Sequence, residues 1–212
     1  MTNFIPIFPL NIVAFPNENL NLHIFEPRYK QLIRECFEEG KVFGIPTVLN
    51  HSIKEYGTTF KIQKIEKEYP NGELDIKTEG IAVFKILEII KQVPDKLYSG
   101  AIVNYPENQM NSPNDIKIKV LENLMHFHQL IHLDEKYNQN KIILNSYDVA
   151  HHVGFTLEQE YEFLSLLSEN YRLQYLSQHI DKMLLTIEQL NILKERVKLN
   201  GHFKKLSIDN ID

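Results

Sequence analysis

Among its 212 residues this chain has no tryptophan, one cysteine and four methionines. A lone thiol, Cys36, cannot close an internal disulfide, so nothing points to an oxidising compartment. It falls on the apolar side of a predicted helix, where it reads as a small buried hydrophobe. A catalytic thiol would want exposure and a paired base. Charge of one sign is scarce too: 23 Lys and Arg against 28 Asp and Glu, net −5, mixed along the chain. No basic stripe results, which argues against a nucleic-acid-binding face. No apolar run approaches the ~18 residues of a membrane helix. No Lys or Arg precedes Arg28, prolines interrupt the first apolar stretch, and no small-residue cleavage site follows, so a secretory leader is rejected. The Asn50-His51-Ser52 sequon is then a chance match, and a cytoplasmic location is expected. No Gly-x-x-x-x-Gly-Lys-Ser/Thr occurs, and Gly40-Lys41 lacks the earlier glycine and the metal-binding hydroxyl of a phosphate loop. No Gly-x-Ser-x-Gly elbow occurs either.

What remains is an ordinary globular composition, 43% hydrophobic and 24% charged, enough for one large domain or two small ones. The stretch Ile5–Ile33 organises the rest. Ile5, Ile7 and Leu10 form a short apolar segment broken by Pro6 and Pro9. Proline lacks the ladder donor, so this strand belongs at an edge. Phe15-Pro16-Asn17-Glu18-Asn19 is a turn. Leu20, Leu22 and Ile24 alternate with Asn21 and His23, the period of a half-buried strand. Pro27 stops that strand and suits a first helical turn. Tyr29, Leu32, Ile33, Cys36 and Phe37 then give a helix to Glu39 with one apolar face.

The run IPIFPLNIVAFPNENLNLHIFEPRYKQLI resembles the opening signature of the Lon protease N-terminal (LON) domain. Phe8-Pro9-Leu10, Phe15-Pro16 and the block Leu20 to Tyr29 carry the likeness. Gly57-Thr58, Asn71-Gly72, Gly80 to Ile86 and Tyr98 to Val103 extend it. The resemblance implies a PUA-like β-pseudobarrel followed by helices, and a role in engaging polypeptides without cutting them. Val83 stands where the family usually places arginine, so any contact of that arginine should be missing. Lon proteases carry ATPase and protease modules after this region. The likeness covers nearly all of this chain and only the front of such a protease, so a stand-alone form is expected.

Further along, Gly40 should cap the first helix in left-handed geometry. Val42 to Leu49 reads as a buried strand, and Phe60, Ile62 and Ile65 begin another. Asn71-Gly72 marks a hairpin whose return strand holds Leu74, Ile76 and Thr78. Gly80 permits a bend before Ile81–Ile90, Pro94-Asp95 turns the chain, and Leu97–Tyr105 closes the set. Short strands joined by tight turns suggest a closed or half-closed barrel. Ser112 should cap a helix with Pro113 at N1 and Asp115 at N3, running from Ile116 to about Leu133. Asp134–Asn140 is a polar connection. Ser146 should cap a short helix ending near Gly154, and Thr156–Gln159 is a capping box for a helix to about Ser168. The last helix should run from Asn170 to Leu199, ending at Gly201. Its stripe Leu173, Leu176, Ile180, Met183, Ile187, Leu190 has too few clean heptads for a coiled coil and favours packing on the preceding helices. The predicted domains are a barrel over 1–111, a helical bundle over 112–200 and a flexible tail over 201–212. The fold class is α+β.

Candidate chemistry is thin. His128 and His132 sit at i and i+4 on one predicted helix, a chelating spacing. His126 points about 160° from His128 at ~3.6 residues per turn, so the three cannot all converge. Neighbouring His151 and His152 diverge as well. Glu26 and Arg28 flank Pro27. Glu26 suits a helix N-terminus, Arg28 should clamp a carbonyl or carboxylate across the barrel, and Phe25 and Tyr29 should be core. No catalytic residue, metal or cofactor is expected. The function expected from the resemblance is non-catalytic binding of unfolded or partly folded polypeptide, as a holder or an adaptor for a Lon-type protease. The open strand edge or an apolar groove would supply the site. The alternative readings are an RNA-binding PUA-like protein, a metal-assisted enzyme and a dimer formed through the last helix.

Overall fold

A computed structural model describes residues 2–132 and 145–206, with side chains to Lys198. Strand β1 (Thr2–Pro6) is followed by β2 (Asn19–Ile24) and helix α1 (Pro27–Glu38). Strands β3 (Phe43–Leu49), β4 (Ser52–Glu68), β5 (Leu74–Ile90) and β6 (Gly100–Asn104) come next. Helix α2 (Asn114–Leu130), a 3-10 segment (Ser146–His152), α3 (Leu157–Ser165) and α4 (Glu169–Leu206) complete the order.

Hydrogen bonding runs β1-β6-β5-β4-β3, antiparallel throughout, with β2 added on β5. The length of β5 makes this possible: Leu74–Glu79 pairs with β2 and Lys85–Ile90 with β6. The two ends of the path are joined by the chain that continues β1. Phe8 N donates to Gly44 O at 2.8 Å, Leu10 N to Pro46 O at 3.3 Å, and Val48 N to Leu10 O at 2.8 Å. Pro9, which has no donor, falls between the two donating residues, so the proline-broken segment still closes a pseudobarrel. Its core holds α1 through Tyr29, Leu32, Ile33 and Cys36 against Ile24, Phe43, Phe60 and Leu74. Burial pushes the Cys36 thiol up to about 12, so it stays protonated and inert. At two crossings only glycine fits. A Cβ on Gly57 would lie 2.4 Å from Ile45 O, and one on Gly80 would lie 2.4 Å from Phe15 O.

Several expectations need correction. β4 begins at Ser52, well before Phe60, because Ser52–Thr59 pairs with β3 and β5 despite its mixed polarity. β5 continues through Gly80, but the extra residue of a bulge, Ile81, follows it directly, since Thr59 pairs with Ala82 and Phe60 with Gly80. Leu97–Ser99 lies outside β6. Ser112 does not cap α2: its buried hydroxyl has no hydrogen-bond partner among the described residues, and Pro113 holds the cap position. The short 146–152 helix is capped by Asn145 in a box with Asp148, one residue before the expected Ser146. The Thr156–Gln159 box forms as expected. α4 continues through Gly201 to Leu206, because one glycine costs a long helix only about 1 kcal/mol. The connection Asp134–Asn140 lies outside the described residues.

Contacts divide the chain into two units, Met1–Asn111 with Leu144–Arg172, and Ser112–Ile143 with Leu173–Asp212. The sequence places 144–172 with the helical bundle, whereas its contacts place it with the strands. A buried polar knot accounts for this. Arg172 and Glu169 are both fully buried and 2.9 Å apart. Glu169 accepts from Ser146 N and Oγ at 2.7 Å each, and Arg172 donates to Asn108 Oδ1 at 2.8 Å and covers the Tyr147 ring at 4.2 Å. Glu169 N donates to Gln109 O at 2.8 Å. Every partner of this ion pair lies in the first unit, so the charges are satisfied only if 145–172 stays there. In the second unit Val120, Leu124 and Phe127 of α2 and Leu173, Leu176 and Ile180 of α4 are buried.

Candidate functional site

β2 bonds to β5 and to no other described strand. Leu20 and Leu22 are half-buried and Ile24 is buried, while Asn19, Asn21 and His23 face out. The strand is therefore an edge with an apolar margin. This makes it a better open edge than β1, whose continuation is taken up by β3. Phe25, expected in the core, is 59% exposed at the end of β2. Ile24 has already filled the inward position, and Pro27 starts α1 before the next inward one. The Phe25 ring stacks near that of His23 at 6.2 Å and 25°.

The antiparallel register sets His23 opposite Asp75. His23 Nδ1 lies 2.7 Å from Asp75 Oδ1 and Nε2 3.4 Å from Glu73 Oε2. Tyr69 donates its hydroxyl to Asp75 Oδ2 at 2.7 Å, and Lys67 lies 4.3 Å over the Tyr69 ring. The hydrogen bond to Asp75 raises the imidazole above its ordinary value, and that bond with the Tyr69 hydroxyl lowers the Asp75 carboxyl. Both ring nitrogens face carboxylates, so neither is placed to take a proton from a nucleophile. The cluster is a charged rim beside an aromatic platform.

Glu26 and Arg28 do not reach across the barrel. Arg28 Nη2 pairs with Glu26 Oε2 at 2.8 Å and its guanidinium lies 4.5 Å over the Tyr29 ring. Tyr29 is core as expected. Lys30 Nζ donates to Asn71 O at 3.0 Å, tying α1 to the Asn-Gly turn, where Gly72 takes φ 78°. Val83 is buried opposite Thr58 and can make no ion pair.

Of the α2 histidines, His128 is buried, His126 is exposed, and His132 lies past the helix end at φ 58°. Among the described residues no three His, Cys, Asp or Glu side chains converge as metal ligands. His126 and Leu130 line a groove of ≈ 590 Å³ with Asp181, Leu184, Leu185 and Ile192 of α4. The residue that sequence reasoning undervalued is His151. Its Nδ1 lies 2.7 Å from Glu160 Oε1 and its Nε2 3.3 Å from Glu18 Oε2. Glu18 also accepts from Phe15 N at 2.8 Å, and the Phe15 ring is 4.8 Å from the imidazole. Burial opposes the charge on His151, but the bonds to Glu160 and Glu18 outweigh it and lift the group to about 9. No local spacing signals a pair so distant in sequence.

The family model for the ATP-dependent protease La (LON) substrate-binding domain matches residues 5–182. Among solved structures the chain is similar to a Lon N-terminal domain protein from Xanthomonas campestris, at 22% identity and TM-score 0.61, covering 82% of this chain and 96% of that one. It is also similar to the N-terminal domain of Mycobacterium avium complex Lon protease, at 14% identity and TM-score 0.64, covering 84% and 98%. At these identities the likeness is one of fold. Among the described residues no helix is long and apolar enough to cross a membrane.

Proposed function

Because this chain belongs to the LON substrate-binding domain family, we propose that it holds unfolded polypeptide as an extended segment and breaks no bond in it. The observation that carries the proposal is the one-sided strand β2 ending in the exposed Phe25. An extended segment added beside β2 gains main-chain hydrogen bonds, and its alternate side chains meet the margin of Leu20 and Leu22. Phe25 supplies an aromatic anchor at low entropic cost. A holder of this kind serves in the cytoplasm as an adaptor that presents chains to a Lon-type protease.

The test uses the full chain and a fluorescent, permanently unfolded carboxymethylated protein. Binding is expected, with amide shifts confined to β2 and its flanks, and the labelled protein stays intact on incubation. Phe25→Ala weakens binding about 5- to 30-fold, the ~1–2 kcal/mol of an aromatic contact, while the melting temperature stays put because the ring is exposed. Shifts elsewhere on the molecule, or equal affinity for Phe25→Ala, would refute the assignment to β2.

A further inference from the structure

Both walls of the groove between α2 and α4 belong to the second unit. Its apolar lining is open to solvent: Leu130, Leu185 and Ile192 are 38%, 58% and 50% exposed. Among the described residues the lining carries two charged side chains, both acidic, Asp181 and Glu188, with His126 on the facing wall. Asp181, Leu185, Glu188 and Ile192 follow at steps of four, three and four residues, so they fall within about 60° of one another at ~3.6 residues per turn. Acid, apolar, acid and apolar side chains thus alternate along a line of about 17 Å at ~1.5 Å per residue. Lys182 and Lys194 project about 100° or more away from both carboxylates on the same helix. Lys119 and Arg196 lie beyond the lining, about two turns before His126 and about one turn past Ile192. Among the described residues the carboxylates of α4 that pair with Lys or Arg are Glu169 and Glu195. Asp181 accepts from Asn123 Nδ2 at 2.8 Å, and neither it nor Glu188 has a cation.

We propose that this groove takes an amphipathic basic helix of another polypeptide, laid along α4. Its Leu-like side chains rest on Leu185 and Ile192, and two Lys or Arg, seven residues apart, meet Asp181 and Glu188. Charge selects this occupant. A helix without those cations would cover two carboxylates and leave them desolvated and unpaired, and an acidic one would add like-charge repulsion. Most of the α4 wall lies past residue 182, where the family match ends. The groove shares no residue with β2, so the inference stands independently of the strand-edge binding above.

Two labelled peptides of about 14 residues test this against the full chain. Each is a Leu-faced helix of about four turns, and they differ only in carrying Lys or Glu at two positions seven apart. At about 50 mM salt the Lys peptide should bind at least about 10-fold tighter, and the gap should narrow at about 0.5 M as charges are screened. Asp181→Lys with Glu188→Lys should reverse the preference, and Phe25→Ala should leave it unchanged. Both substituted carboxylates are exposed, so the helix signal should stay that of the parent. Glu188→Lys alone should close most of the gap, which keeps the test decisive if the double variant unfolds. Leu185→Asn should weaken both peptides. Equal affinity for the two peptides, binding of neither, or a Glu188→Lys variant with the parent's preference overturns the proposal.

Discussion

His151→Gln tests whether the imidazole that joins the Phe15–Glu18 turn to α3 is a charged tie. A folded value of about 9 against ~6.5 for a free imidazole is a shift worth at most ~3.4 kcal/mol at ~1.36 kcal/mol per unit. The His151 side chain is 34% exposed, so solvent and salt cut that to about 1.5–2 kcal/mol. The folded state binds the proton more tightly, so the contribution is whole below pH ~6.5 and is lost as pH rises through about 9. Urea unfolding at half-unit steps from pH 6 to 9 measures it. Cys36, held protonated by burial in the folded chain, ionises near pH ~8.5 when unfolded, but it is common to parent and variant and cancels in their difference. His23 titrates in the same direction, but it is common to parent and variant and cancels in their difference. The difference should be largest at pH 6 and close to zero at pH 9. A flat difference across this range would show that His151 packs on Phe15 without bearing charge.

Three further outcomes follow from the fold. Arg172→Met leaves the Glu169 carboxylate buried and unpaired, and should cost ~3–5 kcal/mol. Adding Glu169→Gln should recover part of this, and thermal melts that rank the double variant below the single one would contradict the account of the knot. Gly57→Ala drives a methyl to 2.4 Å from Ile45 O and 2.6 Å from Pro46 Cα, so it should exceed the ~1–3 kcal/mol of ordinary overpacking. Gly40→Ala meets no atom within 4 Å and is strained only by φ 65°. It should cost about 1–2 kcal/mol, and an equal loss at both positions would mean that contact is not what separates them.

The local elements were legible in residue order. The alternation Leu20-Leu22-Ile24, the Asn-Gly hairpin, the apolar face of α1, the Thr156 box and the left-handed Gly40 are decided by period, capping and turn chemistry, all of which act within a few residues. The signature block likewise marked where the barrel begins. The remainder waited on long-range contacts. Which segment closes the sheet against β3, that Ser52–Thr59 is strand, that 145–172 joins the strands, and that His151 meets Glu18 all depend on partners dozens of residues away. Phe25 shows the limit most plainly. Ile24 before it and Tyr29 after it are core, and nothing local says that these two already fill the inward positions, which leaves the Phe25 ring at the surface.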